Sequence, residues 1–105
     1  MTKIIVLFNL REDVTPEDYE EWAKSTDLPI VRNLASVNKF EVYRSTGLLG
    51  SDNSPIFDYI EMISLNDEAK FYEEIASQLM QDVAKQFQSF ADNPQFILTT
   101  AIDNQ

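Results

Sequence analysis

The sequence predicts an α+β fold: one four-stranded antiparallel sheet with helices on one face, in the order β-α-β-β-α-β. Three observations predict it. An almost wholly apolar run, "KIIVLFNL" (Lys3 to Leu10), meets a helix start within a few residues. Two more strand-like runs, "NKFEVYRS" (Asn38 to Ser45) and "FDYIEMISL" (Phe57 to Leu65), flank "TGLLGSDNSP", which holds both glycines and reads as a loop. A helical periodicity beginning near Asp67 ends at "DNP" (Asp92 to Pro94), and "QFILTTAI" (Gln95 to Ile102) then supplies a fourth strand. That order is the split βαβ, or ferredoxin-like, arrangement.

Each element has a local cause. The first strand is β-branched and apolar almost throughout, as expected of a central strand. In "NLREDVTPEDYEEW" (Asn9 to Trp22), Thr15 stands at the helix N-cap and Pro16 is the first helical residue. Asp18 lies three residues after the cap, and Glu17 and Asp18 meet the positive end of the helix dipole. Tyr19, Trp22 and Ala23 share the inward face, and the helix is expected to run to about Lys24. "DLPIVRNLASV" resumes after Pro29 as a short helical piece. Asn66 is placed as the cap of the next helix. Its apolar residues, Phe71, Ile75, Leu79, Val83 and Phe87, recur every four positions. One unbroken helix from Asp67 to Ala91 would be roughly 37 Å long, against about 26 Å for an eight-residue strand. A break near Ala76–Ser77 is therefore expected.

Composition bounds the function. The 105 residues allow one domain, residues 1–105, with a modest core. The 44% hydrophobic and 25% charged content is that of a soluble globular chain. The net charge is −10, with eight basic residues scattered singly, which argues against nucleic acid and anionic membrane surfaces as partners. The run "IIVLF" is too short for a signal-peptide core and no window approaches a membrane span, so a cytoplasmic setting is expected. There is no cysteine and no histidine. Disulfides, thiolate nucleophiles and the usual zinc and haem ligands are thereby excluded, and neither a metal nor a cofactor is expected. Chemistry, if any, falls to carboxylates, Tyr, Lys, Arg, Ser or Thr.

The strands carry the candidate site. Ile4, Val6, Phe8 and Leu10, with Phe40, Val42, Ile60 and Met62, form an apolar set expected to face the helices. The opposite set holds Ile5, Leu7, Asn9, Lys39, Glu41, Tyr43, Tyr59, Glu61, Ile63, Leu98, Thr100 and Ile102. A bare face of this kind invites a second subunit, sheet on sheet, closing a barrel with a partly wet interior. If Tyr43 opposes Tyr59, then Glu41 opposes Glu61 on the same face. A buried pair of that kind would share a proton, as an acid–base site requires; at a wet edge, with Lys39 nearby, it would be structural. Glu61 and Glu41 are thus the candidate catalytic residues. Asn9, Arg11, Trp22, Tyr43 and Tyr59 are the candidate ligand contacts, the aromatic ones being of a kind more often found as core or interface. Arg11, Glu12 and Asp13 form a charged turn without the alternating ligands and glycine of a calcium loop.

From Phe8 to Arg44, and again in "FADNPQFI" (Phe90 to Ile97), the sequence resembles the REDY-like family of the dimeric α/β-barrel superfamily, with the likeness running over essentially the whole chain. "RED" at Arg11 to Asp13 matches the family tag, and Val14 stands where the tag has tyrosine. The resemblance implies a homodimer with a cavity between sheet and helices. It also implies a role in the methoxy-bipyrrole aldehyde branch of prodigiosin-type pigment biosynthesis, as an accessory, chaperone-like or small-molecule-binding protein. It supplies no catalytic residues. The partners it implies are a second copy, a small aromatic or pyrrole intermediate, and enzymes of the pathway. The alternative is a cofactor-independent isomerase, cyclase or oxygenase working on a bound pyrrole through a carboxylate.

Overall fold

The computed structural model describes residues 2–103. Strand β1 (Thr2–Leu10) leads to helix α1 (Pro16–Trp22), a π-helical turn (Ala23–Asp27) and helix α2 (Leu28–Arg32). Strands β2 (Val37–Arg44) and β3 (Tyr59–Leu65) follow, then helices α3 (Glu68–Glu74) and α4 (Gln78–Phe90), and strand β4 (Ala91–Thr100). The sheet is antiparallel in the order β2-β3-β1-β4, the ferredoxin-like order.

The helix starts follow local chemistry. Thr15 Oγ1 accepts from the Asp18 amide at 3.2 Å, with Pro16 in the first turn. Asp67, one residue later than expected, caps α3 by accepting from the Lys70 amide at 3.0 Å. The break falls at the expected place: Ser77 caps α4 by accepting from the Met80 amide at 3.2 Å. Restarting the helix there rotates its apolar stripe. Met80, Val83 and Phe87 are buried, and Leu79, placed on the stripe by unbroken four-residue spacing, is exposed.

Between α1 and α2 the buried residues are Tyr19, Ala23, Asp27 and Val31, four apart. In an ideal α-helix such a row drifts by roughly 40° per step. The π turn, closed by the Leu28 amide donating to the Ala23 carbonyl, is wider and absorbs part of that drift. It also eases Pro29, which has no amide to give the helix.

Registers decide the faces. Phe8 opposes Tyr59, Val6 opposes Glu61 and Ile4 opposes Ile63; residues directly opposite share a face. Ile4, Val6 and Phe8 are buried under the helices, as expected, together with Phe40. Tyr59, Glu61 and Ile63 lie with them, and Ile60 and Met62 turn to the open face. The expected assignment of β3 is reversed. Both of its alternating sets contain apolar residues, so hydrophobicity alone did not choose; the buried Leu65 and the stacking of Tyr59 on Phe8, 5.5 Å between ring centres, do. In β4, Phe96 opposes Val6 and Leu98 opposes Ile4, so Leu98 and Thr100 belong to the helix side rather than the open face, and Ile102 lies beyond the strand. A register shift at Leu7/Asn9, facing the Asp92–Gln95 segment where Asn93 has φ 50°, resets the alternation.

Candidate functional site

The Arg11–Asp13 turn is held by the main chain. Val14 N–H donates to the Arg11 carbonyl at 3.0 Å, and Arg11 N–H donates to the Phe90 carbonyl at 2.9 Å. Arg11 Nε donates to the Gln88 carbonyl at 2.9 Å. This fastens the exit of β1 to the end of α4. Asn9 performs a similar task on the long β2–β3 loop: it accepts from the Asp58 amide at 2.8 Å and donates to the Ile56 carbonyl at 3.1 Å. Trp22 Nε1 donates to Gln86 at 2.7 Å, and its ring lies 5.2 Å from Phe90. None of Asn9, Arg11 and Trp22 lines the cavity described below.

The two glutamates do not meet. Glu41 opposes Met62, and Val42 opposes Glu61, one residue away from the pairing that Tyr43 opposite Tyr59 would give. Tyr43 opposes Ile60 and Arg44 opposes Tyr59. The shift comes with the irregularity between Val37 and Lys39, which inserts Asn38 into the ladder. Glu41 therefore points to the open face, where it accepts from Tyr43 at 2.6 Å and pairs with Lys39 at 3.5 Å. Tyr43's hydrogen bond, ahead of Lys39's charge, holds the Glu41 carboxyl below its ordinary range. It is a wet-edge residue.

Glu61 is different. It is 4% exposed on the helix side of β3, and the Tyr19 hydroxyl donates to its Oε2 at 3.1 Å. Asp27, presented by the π turn, is 5% exposed, and among the described residues its carboxyl accepts no hydrogen bond. Burial raises the Asp27 pKa to about 7. Burial, and then the charge of Asp27, raise that of Glu61 to about 8, with Tyr19's hydrogen bond opposing. Two carboxyls in one apolar recess lose their protons in two coupled steps that belong to the pair, and near neutrality the pair holds on to a proton that free carboxylates would have lost. Tyr19 is pushed far above the ordinary tyrosine range by burial and by the charges of Glu61 and Asp27, so it remains a donor.

Both acids line a cavity of about 700 Å³ between the sheet and helices α3 and α4. Its walls are Ile4, Phe40, Phe71, Val83 and Phe87. The mouth lies beside β4, where Phe96 and Leu98 face the helix side yet are 59% and 58% exposed. A pocket of this size, apolar with a few convergent polar groups, is the usual form of a small-molecule site. The hollow thus lies behind the sheet, between it and the helices, in the place the family resemblance implies.

Behind Tyr19 stands an aromatic wall. Tyr59 packs edge-on against it at 4.7 Å, and Phe8 at 5.4 Å. The Tyr59 hydroxyl leaves the wall to donate to Glu20 at 2.6 Å, where Arg44 also donates at 2.7 Å. Tyr59 is therefore a support of the site and does not line it. Of the seven residues named from the sequence as catalytic or ligand-contact candidates, Glu61 alone lines the cavity. Asp27 and Tyr19 were missed as site residues. A signal for Asp27 was present: a lone acid on an otherwise buried stripe of four-residue spacing. Among the described residues no group of three His, Cys, Asp or Glu side chains gathers as a metal site would need, and no helix is long and apolar enough to cross a membrane.

None of the curated proteins compared matches this chain. Solved structures do. HapK from Hahella chejuensis superposes with a TM-score of 0.80 at 21% identity, covering 98% of this chain and 94% of that one. SnoaB from Streptomyces nogalater, a cofactor-independent oxygenase, gives 0.74 at 14% identity, covering 95% and 91%. A dimeric ferredoxin-like protein of unknown function from Thermobifida fusca gives 0.72 at 16% identity, covering 95% and 90%. At these identities the likeness establishes the fold. The family model described as REDY-like protein HapK matches residues 2–102, and the chain belongs to that family.

Proposed function

We propose that this protein binds a flat, largely apolar intermediate in the cavity between sheet and helices, and that the intermediate is a pyrrole of the methoxy-bipyrrole aldehyde branch of prodigiosin-type pigment biosynthesis. The observation that carries the binding reading is the half-open apolar cavity lined at one place by the buried carboxyls of Asp27 and Glu61. Membership of the REDY-like HapK family supports the choice of pathway. The protein acts as a homodimer in the cytoplasm, in company with enzymes of the same pathway. The apolar open face of Ile5, Leu7, Ile60, Met62 and Ile97 and the dimeric ferredoxin-like neighbour support the dimer.

The carboxyl pair favours a second reading, in which binding is followed by chemistry. Between the two steps of its titration the pair holds one proton and can accept another. One oxygen can take a proton from a ring N–H or C–H while the other gives a proton to a carbonyl or ring carbon. That is a tautomerisation, balanced without an oxidant. The likeness to SnoaB, itself a cofactor-independent oxygenase, is compatible with such use of the fold.

One experiment separates the readings. The protein is titrated with the methoxy-bipyrrole aldehyde and its alcohol precursor, and each mixture is followed for product. Turnover that is lost in Glu61→Gln, with binding kept, supports the enzyme. Binding without turnover in the native protein supports the accessory role. No binding of either compound sinks the pathway assignment.

A further inference from the structure

The cavity combines buried acids with apolar walls, and among the described residues no ion pair is formed by Asp27 or Glu61. Among the described residues the ion pairs are Lys39–Glu41 and Arg44–Glu20, both away from the cavity. Asp27 comes from the π turn, Glu61 from β3, and Tyr19 reaches Glu61 from α1. The other charged or titratable side chains lining or rimming the space are Tyr72 on α3 and Asp82 and Lys85 on α4, all exposed. Asp27 thus faces an apolar space large enough for a two-ring ligand with its oxygens unused.

Three kinds of flat ligand fare differently there. An anion would meet Asp27 and Glu61 in a medium that screens little, and would be refused. An apolar ligand would fill the walls but offer no donor to the buried carboxyls. A cation with N–H donors would satisfy Asp27 and neutralise the pair, through the charge-assisted bonds that are the strongest of their kind.

We propose that the cavity selects flat organic cations of the amidinium or protonated nitrogen-heterocycle type, held by N–H donation to Asp27 and Glu61. This rests on the reading of the cavity as a binding site and narrows it: among flat nitrogen heterocycles the cavity favours one bound in its protonated, N–H-donating form over a neutral carbonyl compound. A ligand already cationic displaces the proton of the pair into solvent. A neutral basic ligand takes that proton instead: an O–H bond breaks, an N–H bond forms, and no proton is exchanged with solvent.

The test uses four probes of one shape: 2-naphthamidine, 2-naphthamide, 2-acetylnaphthalene and 2-naphthoate. Calorimetric titrations at neutral pH, in two buffers of different ionisation enthalpy, give affinity and protons released together. The expected order is amidine, amide, ketone, carboxylate, with at least about tenfold between first and last, and a proton released only with the amidine. Asp27→Asn and Glu61→Gln are each expected to flatten the order, and their thermal melts show whether they fold. If the ketone or carboxylate binds as tightly as the amidine, the charge preference is wrong while the cavity remains a binding site. If the amidine's advantage survives in the folded double variant, it belongs to the chain's overall negative charge and the proposal falls. If no probe binds, the binding reading falls with it.

Discussion

The Tyr19 hydroxyl donates to the buried Glu61 carboxyl at 3.1 Å, tying α1 to β3 beside the cavity. This bond opposes burial and Asp27's charge in setting the Glu61 proton affinity. Tyr19→Phe keeps the ring against Phe8 and Tyr59 but removes the donor. Glu61 should then hold its proton to higher pH. An infrared titration of the protonated carboxyl band, with Glu61→Gln identifying the signal, reads the shift. The loss in stability should be about 1 kcal/mol, as for a typical buried hydrogen bond. A midpoint that stays put or moves down would show that Tyr19 does not act on Glu61.

Phe87 and Phe96 touch, 6.1 Å between ring centres, yet they should respond very differently to truncation. Phe87 is buried and packs edge-on against Phe8 at 4.9 Å. Phe87→Ala should cost about 3–5 kcal/mol. Phe96 stands at the cavity mouth, more than half exposed. Phe96→Ala should cost less than about 1 kcal/mol, because little of the ring is withdrawn from water. Its effect should appear instead as weaker binding of the naphthalene probes. Urea denaturation and probe titration on the same two variants check the contrast.

How far the sequence reaches can be judged strand by strand. The Thr15 cap was legible because it depends on chemistry within four or five residues, and the Ala76–Ser77 break because an unbroken helix would overhang the strands it covers. The face of β1 was legible because Ile4, Val6, Phe8 and Leu10 form an unbroken apolar set, whereas the alternate set ends in the polar Asn9. The face of β3 was not. "YIEMISL" offers apolar residues in both alternating sets, and its register depends on how Asn38 is inserted in a different strand. The site suffered most from this. Glu61 was found through its acid chemistry and given the wrong face and the wrong partner. Asp27 lay unnoticed on a helical stripe whose continuity depends on a π turn, which no simple 3.6-residue periodicity reveals.

The open sheet face gives a prediction about assembly. Met62 lies there between Glu41 and Ile5 in neighbouring strands, with Leu7, Ile60 and Ile97 close by. Met62→Lys places an ammonium in the middle of the apolar patch and, the side chain being only partly buried within the subunit, should leave the fold intact. If two copies pack sheet to sheet, light scattering after gel filtration should show a dimer for the native protein and a monomer for Met62→Lys. A native monomer at micromolar concentration would remove the dimer proposal without touching the cavity.

The buried acids should make stability fall as pH rises, the reverse of the usual carboxylate effect. In the unfolded chain Asp and Glu titrate near 4; in the fold Asp27 is raised to about 7 and Glu61 to about 8, burial being the main cause of both. Between pH 4 and 8 the folded state therefore binds more protons than the unfolded state. Their contribution is fully present below about pH 4 and is lost as pH climbs through 8, by up to about 1.4 kcal/mol per pH unit for each proton. At the acid end Glu20 works in the opposite sense. The Arg44 hydrogen bond, and then that of Tyr59, hold its carboxyl below its ordinary range, so its contribution disappears on acidification. Melting temperature should consequently peak near pH 5 and decline toward pH 8. Asp27→Asn, which removes an unpaired buried charge, should raise the melting temperature more at pH 8 than at pH 5 and flatten the decline. Stability that is level from pH 5 to 8 in the native protein would mean that the two acids ionise as freely as exposed ones. The proton held in the cavity, on which the acid–base reading depends, would then not be there.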